Sequence, residues 1–272
     1  MWSSLALAAA VALAPAQSGS GLQLSNVRLT VGELGPTRKD SKFIPGDHVF
    51  ISYDVTGITI EDDGTAKYTM AMEVQDATGK AIFKQAPNDL TDFVPLRGAR
   101  LPARAFILIG LDQDPGAYTC KITVTDPKTK ATSSLSVKFE VLKPQFAIVA
   151  VHTRHDEAGH YAAPASGVVG QTIFIMFSVA TFQRDAKTKQ PHVEFLFEIM
   201  DDKGQPTLLK PKRHIQDATS AQQVEDKVGA FQIRFPLFMS RPGKFTVRIT
   251  ATDKVANKKS VYELPVTILP AN

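Results

Sequence analysis

The sequence predicts an all-β chain of two tandem seven-stranded sandwiches behind an N-terminal signal peptide. Three observations predict it. First, the chain is internally duplicated. Gly46-Asp47-His48-Val49-Phe50-Ile51-Ser52-Tyr53-Asp54-Val55 returns as Gly170-Gln171-Thr172-Ile173-Phe174-Ile175-Met176-Phe177-Ser178-Val179, and Pro115-Gly116 through Asp126 returns as Pro242-Gly243 through Asp253. The offsets, 124 and 127 residues, are nearly constant, which is the mark of a repeated unit. Second, apolar residues alternate in the matched segments with period two, as on strands with one buried face. Val49, Ile51, Tyr53 and Val55 match Ile173, Ile175, Phe177 and Val179; Tyr68, Met70, Met72 and Val74 match Val193, Phe195, Phe197 and Ile199. Third, Gly and Pro punctuate these runs, and no long helical period competes with them.

Taken in order, residues 1–21 read as an export signal with a flexible exit. Residues 5–14 are an unbroken run of Leu, Ala and Val, and Ala14-Pro15-Ala16 fits a small-x-small cleavage site. The run is too short to span a bilayer, and no other apolar stretch approaches spanning length. The first sandwich, residues 22–143, is expected to place strands at 24–31, 48–56, 67–75, 81–85, 105–109, 117–126 and 132–142. The turn Asp76-Ala77-Thr78-Gly79 supplies a Gly where a tight reversal needs positive φ. Pro115 stands before a strand and not inside it, because proline cannot donate to a ladder. Lys143-Pro144 is a linker short enough to restrict the angle between the halves. The second sandwich, residues 144–272, repeats the pattern at 146–152, 172–179, 192–200, 207–210, 231–238, 244–253 and 260–269. Two long connections, 86–100 and 211–228, follow the fourth strand of each copy, and 218–226 is expected to form a short helix.

The segment Pro-Gly-x-[Tyr/Phe]-Thr-x-x-Ile-Thr-x-Thr-Asp with its following alternating strand occurs at 115–142 and 242–269. It resembles the last two strands of bacterial immunoglobulin-like or fibronectin-type-III-like domains. With the earlier strands, the resemblance extends over most of residues 22–270. It implies two tandem immunoglobulin-like sandwiches and is nearly silent on activity. The chain departs from antibody-type domains: Cys120 is its only cysteine, so no intrachain disulfide can form, and its single tryptophan, Trp2, lies in the leader.

The composition is globular, with 43% hydrophobic and 21% charged residues. The net charge of +4 falls wholly in the second half, which has sixteen basic and twelve acidic residues after Lys143. These cations are dispersed without the aromatic interleaving of single-stranded nucleic-acid binders, so no nucleic-acid partner is expected.

The densest set of possible ligands is His152-Thr153-Arg154-His155-Asp156-Glu157-Ala158-Gly159-His160. His152, His155 and His160 are the candidate metal ligands, although their spacing matches no zinc signature. The acidic turns Glu61-Asp62-Asp63-Gly64 and Asp201-Asp202-Lys203-Gly204 offer oxygens to calcium but lack its Asp-x-Asp-x-Asp rhythm. Cys120 is expected to face the core as a small hydrophobe. There is no Gly-x-Ser-x-Gly and no glycine-rich phosphate cradle, so no catalytic residue and no cofactor is assigned.

The favoured reading is an exported, extracytoplasmic, non-enzymatic protein, periplasmic, secreted or at the cell surface. It would act as a binding, adhesion or structural module of the cell envelope, with a protein or polysaccharide as partner. One alternative is a metal-binding protein or metal-dependent hydrolase centred on His152–His160. Another, by analogy of fold alone, is a periplasmic chaperone-like client binder.

Overall fold

The computed structural model describes residues 21–216, 224–225 and 228–271. The leader expected at 1–21, Gly21 apart, lies outside these residues, as does most of the short helix expected at 218–226; Val224 and Glu225, which are described, are not helical. Among the described residues there are sixteen strands and no helix. The first half contains β1 (Gln23–Thr30), β2 (Lys42–Phe43), β3 (His48–Thr56), β4 (Thr65–Gln75), β5 (Ala81–Phe93), β6 (Arg100–Leu108), β7 (Gly116–Thr125) and β8 (Thr132–Val141). The second contains β9 (Ala147–Arg154), β10 (Ser166–Val168), β11 (Thr172–Ala180), β12 (Val193–Met200), β13 (Lys212–Gln216), β14 (Ala230–Phe238), β15 (Gly243–Asp253) and β16 (Lys258–Leu269).

The duplication is complete at the level of topology. A three-stranded sheet β1-β3-β6 faces a five-stranded sheet β2-β8-β7-β4-β5; in the second half, β9-β11-β14 faces β10-β16-β15-β12-β13. Each half thus has eight strands and not the seven expected. The additional strands, β2 and β10, run parallel to β8 and β16. They are two and three residues long, too short for alternation to announce them. They form because the chain, having paired β1 or β9 in one sheet, crosses to the other.

Three more expectations need correction. The strand expected at 207–210 is displaced to β13. β5 runs on from 81–85 to Phe93, and β6 begins at Arg100 and not at 105. In β5 the alternation fails because it is an edge strand with a mostly exposed pattern, and it carries Pro87 at a bulge, where a missing N–H is tolerated.

Both halves close their last hairpin with one device. Asp126 Oδ1 accepts the N–H groups of Lys128 and Thr129 in the turn, while Oδ2 accepts Thr59 N–H and Oγ1 from the opposite connection. Asp253 repeats this with Val255, Ala256 and Gln183. Both aspartates are fully buried. Burial opposes ionisation of Asp126, but the Thr59 and turn donors outweigh it and pull the carboxyl down to about 2. Short polar side chains that bond nearby backbone are what make Asp a turn residue. The acidic turns considered for calcium are turns of the same kind: Asp63 Oδ1 accepts Thr65 N–H, and Asp201 Oδ1 accepts those of Lys203 and Gln205.

Candidate functional site

The two halves meet through a built junction. The first strand of each copy carries a bulge with a left-handed residue, Asn26 (φ 50°) in β1 and Ala150 (φ 54°) in β9. Asn tolerates this conformation, but Ala does so at a cost of about 1–2 kcal/mol. At the junction, Asp47 Oδ1 accepts the Ala150 N–H at 2.8 Å and the His48 N–H at 2.8 Å. Its Oδ2 lies 3.4 Å from Arg38 Nη1, and the Arg38 guanidinium lies 4.2 Å from the centre of the Phe43 ring. Gly46 and Gly32 permit the close approach. A Cβ on Gly46 would lie 2.9 Å from Leu111 and 3.4 Å from the Ala180 Cβ; one on Gly32 would lie 2.7 Å from the Cβ of His152. Ala147, Val149 and Ala180 form a small apolar cluster there with Ile44 and Ala230, and Arg154 pairs with Glu33 at 2.9 Å.

This junction takes in one of the three candidate histidines. His152 is buried; its Nδ1 donates to Ala150 O at 2.8 Å, and its ring stacks beside His48 with centroids 6.3 Å apart. His155 and His160 are exposed, and His160 Nδ1 lies 3.6 Å from Asp156. Asp156 itself accepts the N–H groups of His160 and Tyr161. Among the described residues no group of three or more His, Cys, Asp or Glu side chains is placed to hold a metal ion.

Burial holds the His152 imidazole down at about 4, with Arg154 and His48 acting in the same sense and its bond to Ala150 O opposing. Burial also lowers His48, against the pull of Asp47. In the unfolded chain His152 titrates near its ordinary value of about 6.5. As pH falls, therefore, the unfolded chain takes up the proton first; the contribution is complete above pH ~6.5 and is lost toward pH 4. His152 alone should make the protein about 2 kcal/mol less stable at pH 5 than at pH 7. Urea unfolding at the two pH values checks this, and His152→Gln should lose most of the difference. Burial pushes Asp47 upward, so it works in the opposite sense. Its contribution is complete below the ordinary carboxylate range and falls as pH rises through its folded value.

The second feature is an apolar cavity of about 510 Å³ between the two sheets of the first half. Met70, Met72 and Val74 of β4, Ala105 and Ile107 of β6, and Phe139 and Val141 of β8 line it. Its origin is legible by aligning the copies. Ala105 lies opposite Ile51 as Phe235 lies opposite Ile175; Met72 lies opposite Ile122 as Phe197 lies opposite Ile249. In the second half Phe235 stacks on Phe197, with centroids 4.3 Å apart and planes 6° apart. The first half puts a methyl group and a thin, flexible thioether at those two positions, and space remains. At one end Tyr118 OH donates to Asp114 O at 2.7 Å and accepts from Gln113 Nε2 at 2.8 Å. At the mouth, between edge strands β5 and β6, Ile82, Phe83, Phe106 and Leu108 are 43–62% exposed. Arg104 is the one charged residue of the lining. Cys120 lies in the core, where burial pushes its thiol up to about 12 and leaves it without thiolate character.

Asp47, Arg38, Arg104 and Ala105 were not among the residues expected to act. Gly46-Asp47 against Gly170-Gln171 was the visible signal for the junction, and Met72 against Phe197 for the cavity.

No protein-family model matches the chain, and no curated protein matches it. Among solved structures, Pseudomonas fluorescens alkylpurine DNA glycosylase AlkC bound to DNA with an abasic site analogue is 14% identical over 47% of this chain and 32% of that one, at TM-score 0.29. Red sea bream transglutaminase is 12% identical over 93% of this chain and 32% of that one, at TM-score 0.28. The C-terminal domain of the Streptococcus agalactiae AgI/II polypeptide BspA is 8% identical over 90% of this chain and all of that one, at TM-score 0.30. The chain thus spans about a third of the glycosylase and transglutaminase chains. Likeness at these scores carries no argument about activity.

Proposed function

We propose that the chain is an exported, non-catalytic binding module of the cell envelope. It is built from two immunoglobulin-like sandwiches, 22–143 and 144–272, of which the first carries the ligand site and the second supports it. The sheet pairing favours the immunoglobulin-like assignment. So does Tyr118, whose hydroxyl bonds back to Asp114 O at the entry to β7 in the manner of a tyrosine corner. Export rests on the apolar run at 5–14 and the Ala14-Pro15-Ala16 site. The observation that carries the binding role is the cavity. The same fold is present twice, and the half with alanine and methionine in place of two phenylalanines has an apolar space within the range of about 300–1,000 Å³ typical of ligand sites. An apolar wall favours an apolar ligand over a polysaccharide. The test is fluorescence titration of the purified chain with the uncharged probe N-phenyl-1-naphthylamine. Saturable binding of one probe per native chain is expected; fluorescence that rises only on unfolding would refute the reading.

A further inference from the structure

We propose that the cavity of the first half takes the alkyl chain of an anionic single-chain amphiphile, a long-chain carboxylate, with Arg104 binding its head group. The proposal rests on the reading of that half as the ligand-bearing one. The hydroxyls nearest the cavity are already engaged: Tyr118 OH in its wall donates to Asp114 O and accepts from Gln113, and Tyr53 OH donates to the lining Met70 Sδ at 3.2 Å. Gln85 and Arg104 apart, what remains of the lining is mostly thioether, aliphatic and aromatic surface. Met70 and Met72 adjust their shape at little cost, which suits a flexible chain of variable length.

The mouth is amphipathic in the matching sense. Ile82 and Phe83 on β5 and Phe106 and Leu108 on β6 form apolar lips, and the exposed Arg104 on β6 belongs to the same lining. Among the described residues no carboxylate lies within ion-pair distance of Arg104. Its guanidinium is therefore available for the two-pronged bond a carboxylate accepts.

A peptide strand is the other extended occupant such a cleft could receive, and both edges oppose it. Pro87 in β5 and Pro102 in β6 each remove an N–H from the ladder an added strand would need. Lys84, Arg100 and Arg104 place charges on the same edges, a recognised guard against strand addition. An alkyl chain needs no hydrogen bonds and meets no such barrier.

The experiment is displacement of bound N-phenyl-1-naphthylamine from the full chain by saturated carboxylates from octanoate to palmitate, and by alcohols of the same lengths, in wild type and Arg104→Gln. Each added methylene should tighten binding about fourfold until the cavity is full, after which the series should level off. Carboxylates should bind about tenfold more tightly than the matching alcohols in wild type, and no more tightly in Arg104→Gln. A probe that binds but is displaced by no carboxylate would overturn the proposal and leave the module reading standing. Equal displacement by acids and alcohols, or by an apolar peptide alone, would overturn it in the same way. Failure of the probe to bind at all would remove the module reading with it.

Discussion

Asp47→Ala should destabilise the protein by about 4 kcal/mol, the cost of removing one member of a buried ion pair. Three groups lose their partner together. The Arg38 side chain, only 15% exposed, keeps its charge without Asp47 and is left with its bond from Nη2 to Lys42 O. The Ala150 N–H loses the acceptor that offsets its left-handed backbone, and the His48 N–H loses the same oxygen. The Ala150 N–H is buried, so it cannot turn to water for a replacement acceptor. Asp47→Asn keeps an acceptor for the N–H groups and should cost roughly half as much. Because the contact couples the halves, unfolding should also change from one transition to two. Urea titration followed by circular dichroism reads both effects. A loss below about 1 kcal/mol with a single transition retained would mean that the junction is a surface contact and not a structural joint.

Phe235→Ala is the second large effect. Phe235 is half-buried, its ring stacked on Phe197, and beyond Phe197 stands Phe177, with centroids 6.1 Å apart. Removing the ring forfeits its transfer free energy and leaves a cavity, for a loss of about 3 kcal/mol. The variant also reproduces in the second half the residue that stands at Ala105 in the first. It should therefore bind a second equivalent of the apolar probe. A loss of stability without a second probe site would show that the second half collapses where the first does not.

Much of the fold was legible in the sequence, because a buried sheet face leaves a period-two imprint and because the chain prints it twice. The segments Val49–Val55 and Ile173–Val179 could be aligned on sight, and they became the central strands β3 and β11 of their three-stranded sheets. The edges were harder to read. β5 is solvated on most of its length and β2 has two residues, so neither bears a hydrophobic period. The histidine cluster shows the limit of proximity in sequence. Strand alternation turns His152 into the junction, while the turn after β9 carries His155 and His160 outward. The cavity shows the opposite limit. Ala105 and Met72 are 33 positions apart, and only the registers β3–β6 and β4–β7 reveal that they take the places of a stacked pair. Alanine and methionine on a buried face are ordinary core residues until their duplicates prove to be aromatic.

The first half is hollow because β6 carries Ala105 where β14 carries the Phe235 ring. Probe titration of Ala105→Phe puts that origin to the test. The added ring should occupy the cavity, abolish the single probe site and raise stability by about 1 kcal/mol, as cavity-filling substitutions do. Undiminished probe binding to a folded Ala105→Phe protein would place the site elsewhere and contradict the claim.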